Sequence, residues 1–205
     1  MKKLLFIFLL WAITGSAQTF NIVILGSNYS KGVSFQSDVD SFKTEIMSTS
    51  PFCDSDIVKL IKFYQKQVGG LGCDDYGSLS EESIMCNSDK IKRAIRDIPV
   101  ELADIDIIMI FVMGKGHGGS TGKVAVVGLG DHTTTPVLDS LMGCTFAKRA
   151  FSGKARHELG HSCGLTHDFT SWNVMSYACN GGCCVADASF TDDQKTIIRN
   201  YILTK

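Results

Sequence analysis

His157-Glu158-Leu159-Gly160-His161-Ser162-Cys163-Gly164-Leu165-Thr166-His167-Asp168 is the stretch on which the reading of this chain turns. His157 and His161 are four residues apart, so on a helix they share one face, one turn apart, and both imidazoles can reach one metal ion. A catalytic zinc site uses three protein ligands and an open position. Gly164 can take the left-handed conformation that ends a helix, which turns the chain and returns His167 toward the metal. Glu158 stands next to the first ligand and is placed to take a proton from a water that the metal acidifies. The chain holds 5 histidines in all, and three of them stand in this stretch. A structural zinc site would be closed by a fourth protein ligand and would have no use for Glu158.

The rest of the composition sets limits around that motif. The chain has 205 residues, 20 Lys+Arg against 21 Asp+Glu and 44% hydrophobic content. That is too apolar for a disordered protein, and the balanced charge gives no electrostatic footprint for nucleic acid. At the start, Lys2-Lys3, the apolar run Leu4 to Ile13 and the small residues Gly15-Ser16-Ala17 read as a signal peptide cut after Ala17. The apolar run is too short to span a bilayer, and no later segment is long and apolar enough. We therefore expect residues 1–17 as signal peptide and residues 18–205 as one secreted, extracellular, monomeric domain. The 8 cysteines agree with an oxidising compartment and favour disulfides over a zinc cluster, with Cys163 more plausible as a disulfide partner than as a regulatory thiol.

Along the chain, Phe20 to Leu25 reads as a buried strand, Asp38 to Met47 as a helix, and Ile105 to Met113 as a central strand covered on both faces. Ser55 to Val68 fits a helix or a strand equally well. Gly69 to Ser83 reads as a long loop tied by Cys73 and Cys86. Asn87 or Ser88 caps a helix running to Asp97, and Thr191 caps a terminal helix running to Tyr201. Gly114 to Gly122 lacks the spacing of a phosphate loop. Lys123 to Leu129 is a further strand. His117 and His132 stand in loop sequence and are not assigned as ligands. Asp74-Asp75 does not match a calcium-binding EF-hand, so one zinc ion is the cofactor expected and calcium has no support.

The motif resembles the extended zinc signature of the metzincin metallopeptidases, and Asn173-Val174-Met175-Ser176-Tyr177 resembles the methionine-containing turn expected downstream. Asp168, directly after His167, is similar to the adamalysin pattern. Asn21 to Ser27, Phe35 to Phe52 and Asp104 to Gly119 resemble the secreted IgA-peptidase-like metallopeptidases, whose third ligand is usually acidic. Here that region offers Leu165-Thr166-His167-Asp168, and His167 is taken as the ligand. The resemblance implies an α+β, metzincin-like zincin fold with a mixed twisted sheet. It places a zinc helix at the cleft floor, an upper lobe at about 18–164 and a smaller lower lobe at about 165–205. It implies His157, His161 and His167 on zinc, Glu158 and Tyr177 in catalysis, and Gly164, Asp168 and Met175 in support. A peptide or protein substrate would then lie along an edge strand containing Val124 and Val126. The rival class is a secreted, zinc-stabilised binding protein that keeps the fold without turnover.

Overall fold

Phe20–Ser27 (β1) is buried along its whole length, and its side chains alternate between two separate cores. Phe20, Ile22 and Ile24 face one and Val23 and Leu25 the other, as the two-residue period of a strand requires. A strand covered on both faces belongs in the middle of a sheet flanked by helices. In the computed structural model, which describes residues 18–30, 34–77, 82–114, 118–129, 146–168, 173–176 and 188–205, that is where β1 lies. The signal-peptide reading of residues 1–17 falls outside the described residues.

Phe35–Ile46 (α1) starts three residues ahead of the expected Asp38 and is capped by Ser34, whose hydroxyl accepts from the Ser37 N–H. The second half of the ambiguous segment, Ile61–Gln67 (β2), is a strand, paired in parallel with β1 from Phe20↔Ile61 to Gly26↔Gln67, and residues 55–60 before it form turns. Local pattern could not decide this, because the partner strand lies about forty residues back. The expected loop instead holds a hairpin, Asp74–Gly77 (β3) with Glu82–Met85 (β4), closed at its base by the Cys73–Cys86 disulfide. Asn87 caps Ser88–Ile95 (α2) by accepting from the Asp89 and Lys90 N–H groups.

Ile107–Val112 (β5) pairs with β1 and is buried at all six positions. Gly118–Thr121 (β6) and Val124–Gly128 (β7) form an antiparallel hairpin, and β7 runs parallel to β5. Its two-residue turn needs a positive φ at its first residue, which Gly122 supplies at +56°. The sheet order is therefore β2-β1-β5-β7-β6, four parallel strands with one antiparallel edge. This corrects the expected substrate edge. Val124 and Val126 lie in a strand hydrogen-bonded on both sides, and β6, hidden in the glycine-rich stretch, is the edge.

Phe146–Ser162 (α3) and Asp192–Leu203 (α4) complete four α-helices among the described residues. Thr191 and Gln194 close a capping box at the start of α4. Phe42, Phe111, Val127, Leu159, Met175, Phe190 and Ile198 belong to the core on the α1 and α3 side; Ile84, Ile91, Ile95 and Ile110 belong to the other. Each such side chain, fully buried, contributes about 1.5–3 kcal/mol. No helix among the described residues is long and apolar enough to cross a membrane.

Candidate metal centre

Helix α3 packs over β7 and β6 and delivers His157 and His161 from one face. It ends in a Schellman turn. The Leu165 N–H reaches back to the Gly160 carbonyl at 3.0 Å and the Gly164 N–H to that of His161 at 2.9 Å, with Gly164 at φ +91°. No atom lies within 4 Å of where a Cβ would stand at Gly164, so backbone conformation, not space, sets glycine there. The same turn brings the Leu165 carbonyl to the His161 Nδ1, 2.8 Å away, and carries the chain back to His167. His157 Nδ1 lies 2.8 Å from the Val174 carbonyl.

Those two contacts fix the chemistry. A carbonyl only accepts, so each Nδ1 carries the proton and each Nε2 presents a lone pair. Yet His161 Nε2 sits 3.0 Å from His157 Nε2 and 3.1 Å from His167 Nε2. The His157 and His161 lone pairs cannot hydrogen-bond each other; a shared cation accounts for their convergence. Tetrahedral zinc with bonds of 2.0–2.1 Å would place such nitrogens about 3.3 Å apart. The three histidines are the metal-competent group among the described residues, and Asp168 is not part of it. Burial pushes the His157 pKa down to about 4, against the opposing pull of the Val174 hydrogen bond, so this imidazole is neutral and ready to ligate at pH 7.

Asp168 acts one layer out. Its N–H donates to the Met175 carbonyl at 2.9 Å, and its Oδ2 accepts from Asn173 Nδ2 at 2.9 Å and Gln194 Nε2 at 3.3 Å. Asn173 Oδ1 in turn accepts the Met175 N–H at 2.7 Å. Segment 173–176 is thereby held under α3, and Val174 supplies the carbonyl that orients His157. Met175 is fully buried, and a Cβ at Gly160 would fall 2.5 Å from its sulfur. Gly160, between the two helix ligands, is thus as much a part of the site as Gly164, for a reason of space that the motif alone does not disclose.

Glu158 is 7% exposed, and its Oε2 has no hydrogen-bond partner among the described residues. Burial, only partly offset by Lys154, pushes its carboxyl up to about 8. A buried carboxylate left this way is costly unless a cation or a donor completes it, and a metal on the neighbouring His157 meets that need.

Several expectations are not met or fall elsewhere. Cys163 is a free, fully buried thiol in the apolar core beside Leu159 and Leu165, and burial raises its pKa. Among the described residues it packs as an apolar side chain and has no disulfide partner. Tyr177, His117, His132, Cys144, Cys179, Cys183 and Cys184 lie outside the described residues. A broad cleft at the start of β1, β2 and β5, lined by Asn21, Lys62, Arg96 and Asp106, is remote in sequence from the histidines and holds none of them.

No family model matches the chain, and no curated protein matches it in sequence. Solved structures do. Archaemetzincin from Methanopyrus kandleri superposes with a TM-score of 0.55 at 14% identity, covering 94% of this chain and 99% of that one. Metalloproteinase-II from Bacteroides fragilis gives a TM-score of 0.50 at 15% identity over 91% of this chain. The match spans 54%, about half, of that protein's length. The chain shares its fold with metallopeptidases of known structure, and it carries a three-histidine metal-competent cluster.

Proposed function

We propose that this chain is a secreted zinc-dependent endopeptidase of metzincin type. The observation that carries the reading is the convergence of three imidazole Nε2 atoms, with two of the rings fixed by backbone carbonyls, beside a buried carboxylate. Zinc on His157, His161 and His167 would supply a Lewis acid that polarises the scissile carbonyl and lowers the pKa of water toward about 7. Glu158 takes the proton of the attacking water and returns it to the leaving amine. An extended peptide adds along β6, whose backbone gives affinity without selecting sequence. Tyr177 donates to the developing oxyanion. The Cys73–Cys86 disulfide supports export. The motifs similar to adamalysins and to IgA-peptidase-like enzymes belong to the same reading.

The test compares mature protein, zinc-loaded, with its Glu158→Ala variant on denatured casein and a peptide library, with and without chelator. Chelator-sensitive cleavage by the wild type, reduced about 10²–10⁴-fold in the variant, is expected for loss of a general base. If both proteins bind one zinc and neither cuts, the chain is a binding protein on a peptidase fold.

A further inference from the structure

The edge strand carries a second contact with the centre. Gly118 pairs with Val127, whose side chain lies in the core on the α3 side, and directly opposed residues of an antiparallel pair point to the same face. A side chain at 118 would therefore be aimed at α3. A Cβ built there falls 2.4 Å from Glu158 Oε1, 3.0 Å from its Cδ and 3.2 Å from its Cγ. Backbone does not demand the glycine, because its φ lies outside the left-handed region that marks Gly114, Gly122 and Gly164. Space does. The obstructing group is also not a fixed wall; it is the far end of a flexible side chain, which can move away and leave the fold intact.

We propose that Gly118 is a positioning residue for Glu158. Its missing side chain lets the carboxylate lie against the edge-strand backbone, within reach of both the centre and a peptide running along β6, and any larger residue displaces the carboxylate without unfolding the strand. This rests on Glu158 as the general base. It deepens that reading by making the edge strand part of the proton-transfer apparatus as well as a rail for substrate.

The decisive experiment is a pair of double-mutant cycles in the full mature chain. In the first, kcat and KM are measured for wild type, Gly118→Ala, Glu158→Asp and the double variant, with zinc content measured on each. Gly118→Ala should lower kcat at least tenfold with KM and zinc stoichiometry unchanged. The double variant, whose shorter carboxylate clears the added methyl, should lose less than the product of the two single losses. Full activity in Gly118→Ala, or strictly multiplicative losses, overturns the proposal. The second cycle needs no turnover. Urea unfolding of the zinc-free protein should show Gly118→Ala destabilising in the Glu158 background and neutral or stabilising in the Glu158→Ala background, since a strand prefers alanine to glycine once the clash is gone. Equal effects in both backgrounds remove the contact on which the proposal stands. If wild type cuts nothing while this second cycle shows coupling, the peptidase reading fails and the contact survives, so the two failures are distinct.

Discussion

On the α2 side of the sheet, Val23, Leu25, Ile108, Ile110 and Val112 meet Ile91, Ala94 and Ile95 in an aliphatic layer. Its polar groups come at the rim, where Asp106 accepts the Asn21 N–H and Asn21 donates to the Asp104 carbonyl. On the α3 side the same strands face a core that also admits Arg156, Glu158, Asn173 and Gln194, all under 10% exposed. Arg156 is tied to Glu45 of α1 at 3.0 Å and to the Ala188 carbonyl at 3.0 Å; Asn173 and Gln194 both reach Asp168. Glu158, beside the three histidines, is the carboxylate of this set, and its Oε2 accepts no hydrogen bond among the described residues. One face lowers the free energy of the fold; the other gives up apolar packing to hold a set of donors in fixed directions. A buried polar network is tolerated where its members are satisfied, and an open carboxylate oxygen beside three convergent imidazoles marks the chemistry.

The largest effects should separate the two faces. Ile110→Ala, on the aliphatic side, should cost about 2–5 kcal/mol of unfolding free energy in urea and leave one zinc bound per folded molecule. His161→Ala should do the reverse. Its zinc-free stability should stay close to wild type, while the stabilisation by added zinc, about 4 kcal/mol for wild type at a thousandfold excess over Kd, should vanish. If Ile110→Ala weakens zinc binding in its folded fraction, or His161→Ala unfolds the zinc-free protein, the division between a packing face and a chemical face is wrong.

A smaller effect tests the network behind the ligands. Asp168 holds segment 173–176, whose Val174 carbonyl orients His157. Asp168→Ala should therefore weaken zinc about 10–100-fold by competition titration, as loss of a group that orients a ligand does. An unchanged zinc affinity would mean that Met175, buried against Gly160, holds the segment unaided.

How much of this was legible follows from where the information is stored. The three histidines, Glu158 and the Gly164 turn are local: their spacing on one helix and its cap can be read without a partner. The buried alternation of β1 and β5 is local too. What escaped depends on pairs distant in sequence. β2 is a strand because β1 lies beside it, and β6 is the edge because β7 is already paired with β5. Nothing within Ile61–Gln67 or Gly118–Thr121 states that. Gly160 and Gly118 look like ordinary glycines until Met175 and Glu158 are placed against them. A period count on Gly118–Thr121 fails as well, because two of its four residues have no side chain to alternate.

The smallest prediction probes a half-buried polar pair on the α3 side, far from the metal ligands in sequence. Tyr29 packs edge-on against Phe35, their ring centres 5.2 Å apart, and its hydroxyl donates to Asp38 Oδ2 of α1 at 3.0 Å. Burial, and then the Asp38 carboxylate, hold its pKa well above the ordinary tyrosine value. The folded state keeps this proton where the unfolded chain releases it, so the contribution is complete below about pH 10 and is lost as pH rises beyond it. Because Tyr29 is only partly buried, the loss should be modest, up to about 1 kcal/mol per pH unit. Unfolding midpoints between pH 9 and 11 should fall more steeply for wild type than for Tyr29→Phe, which starts about 1 kcal/mol lower for want of the hydrogen bond. Lysines and the other tyrosines titrate in both proteins and cancel in the difference. Parallel slopes would show that the α3 side holds its peripheral polar pairs no more tightly than water does, and would confine its special character to the cluster around Glu158.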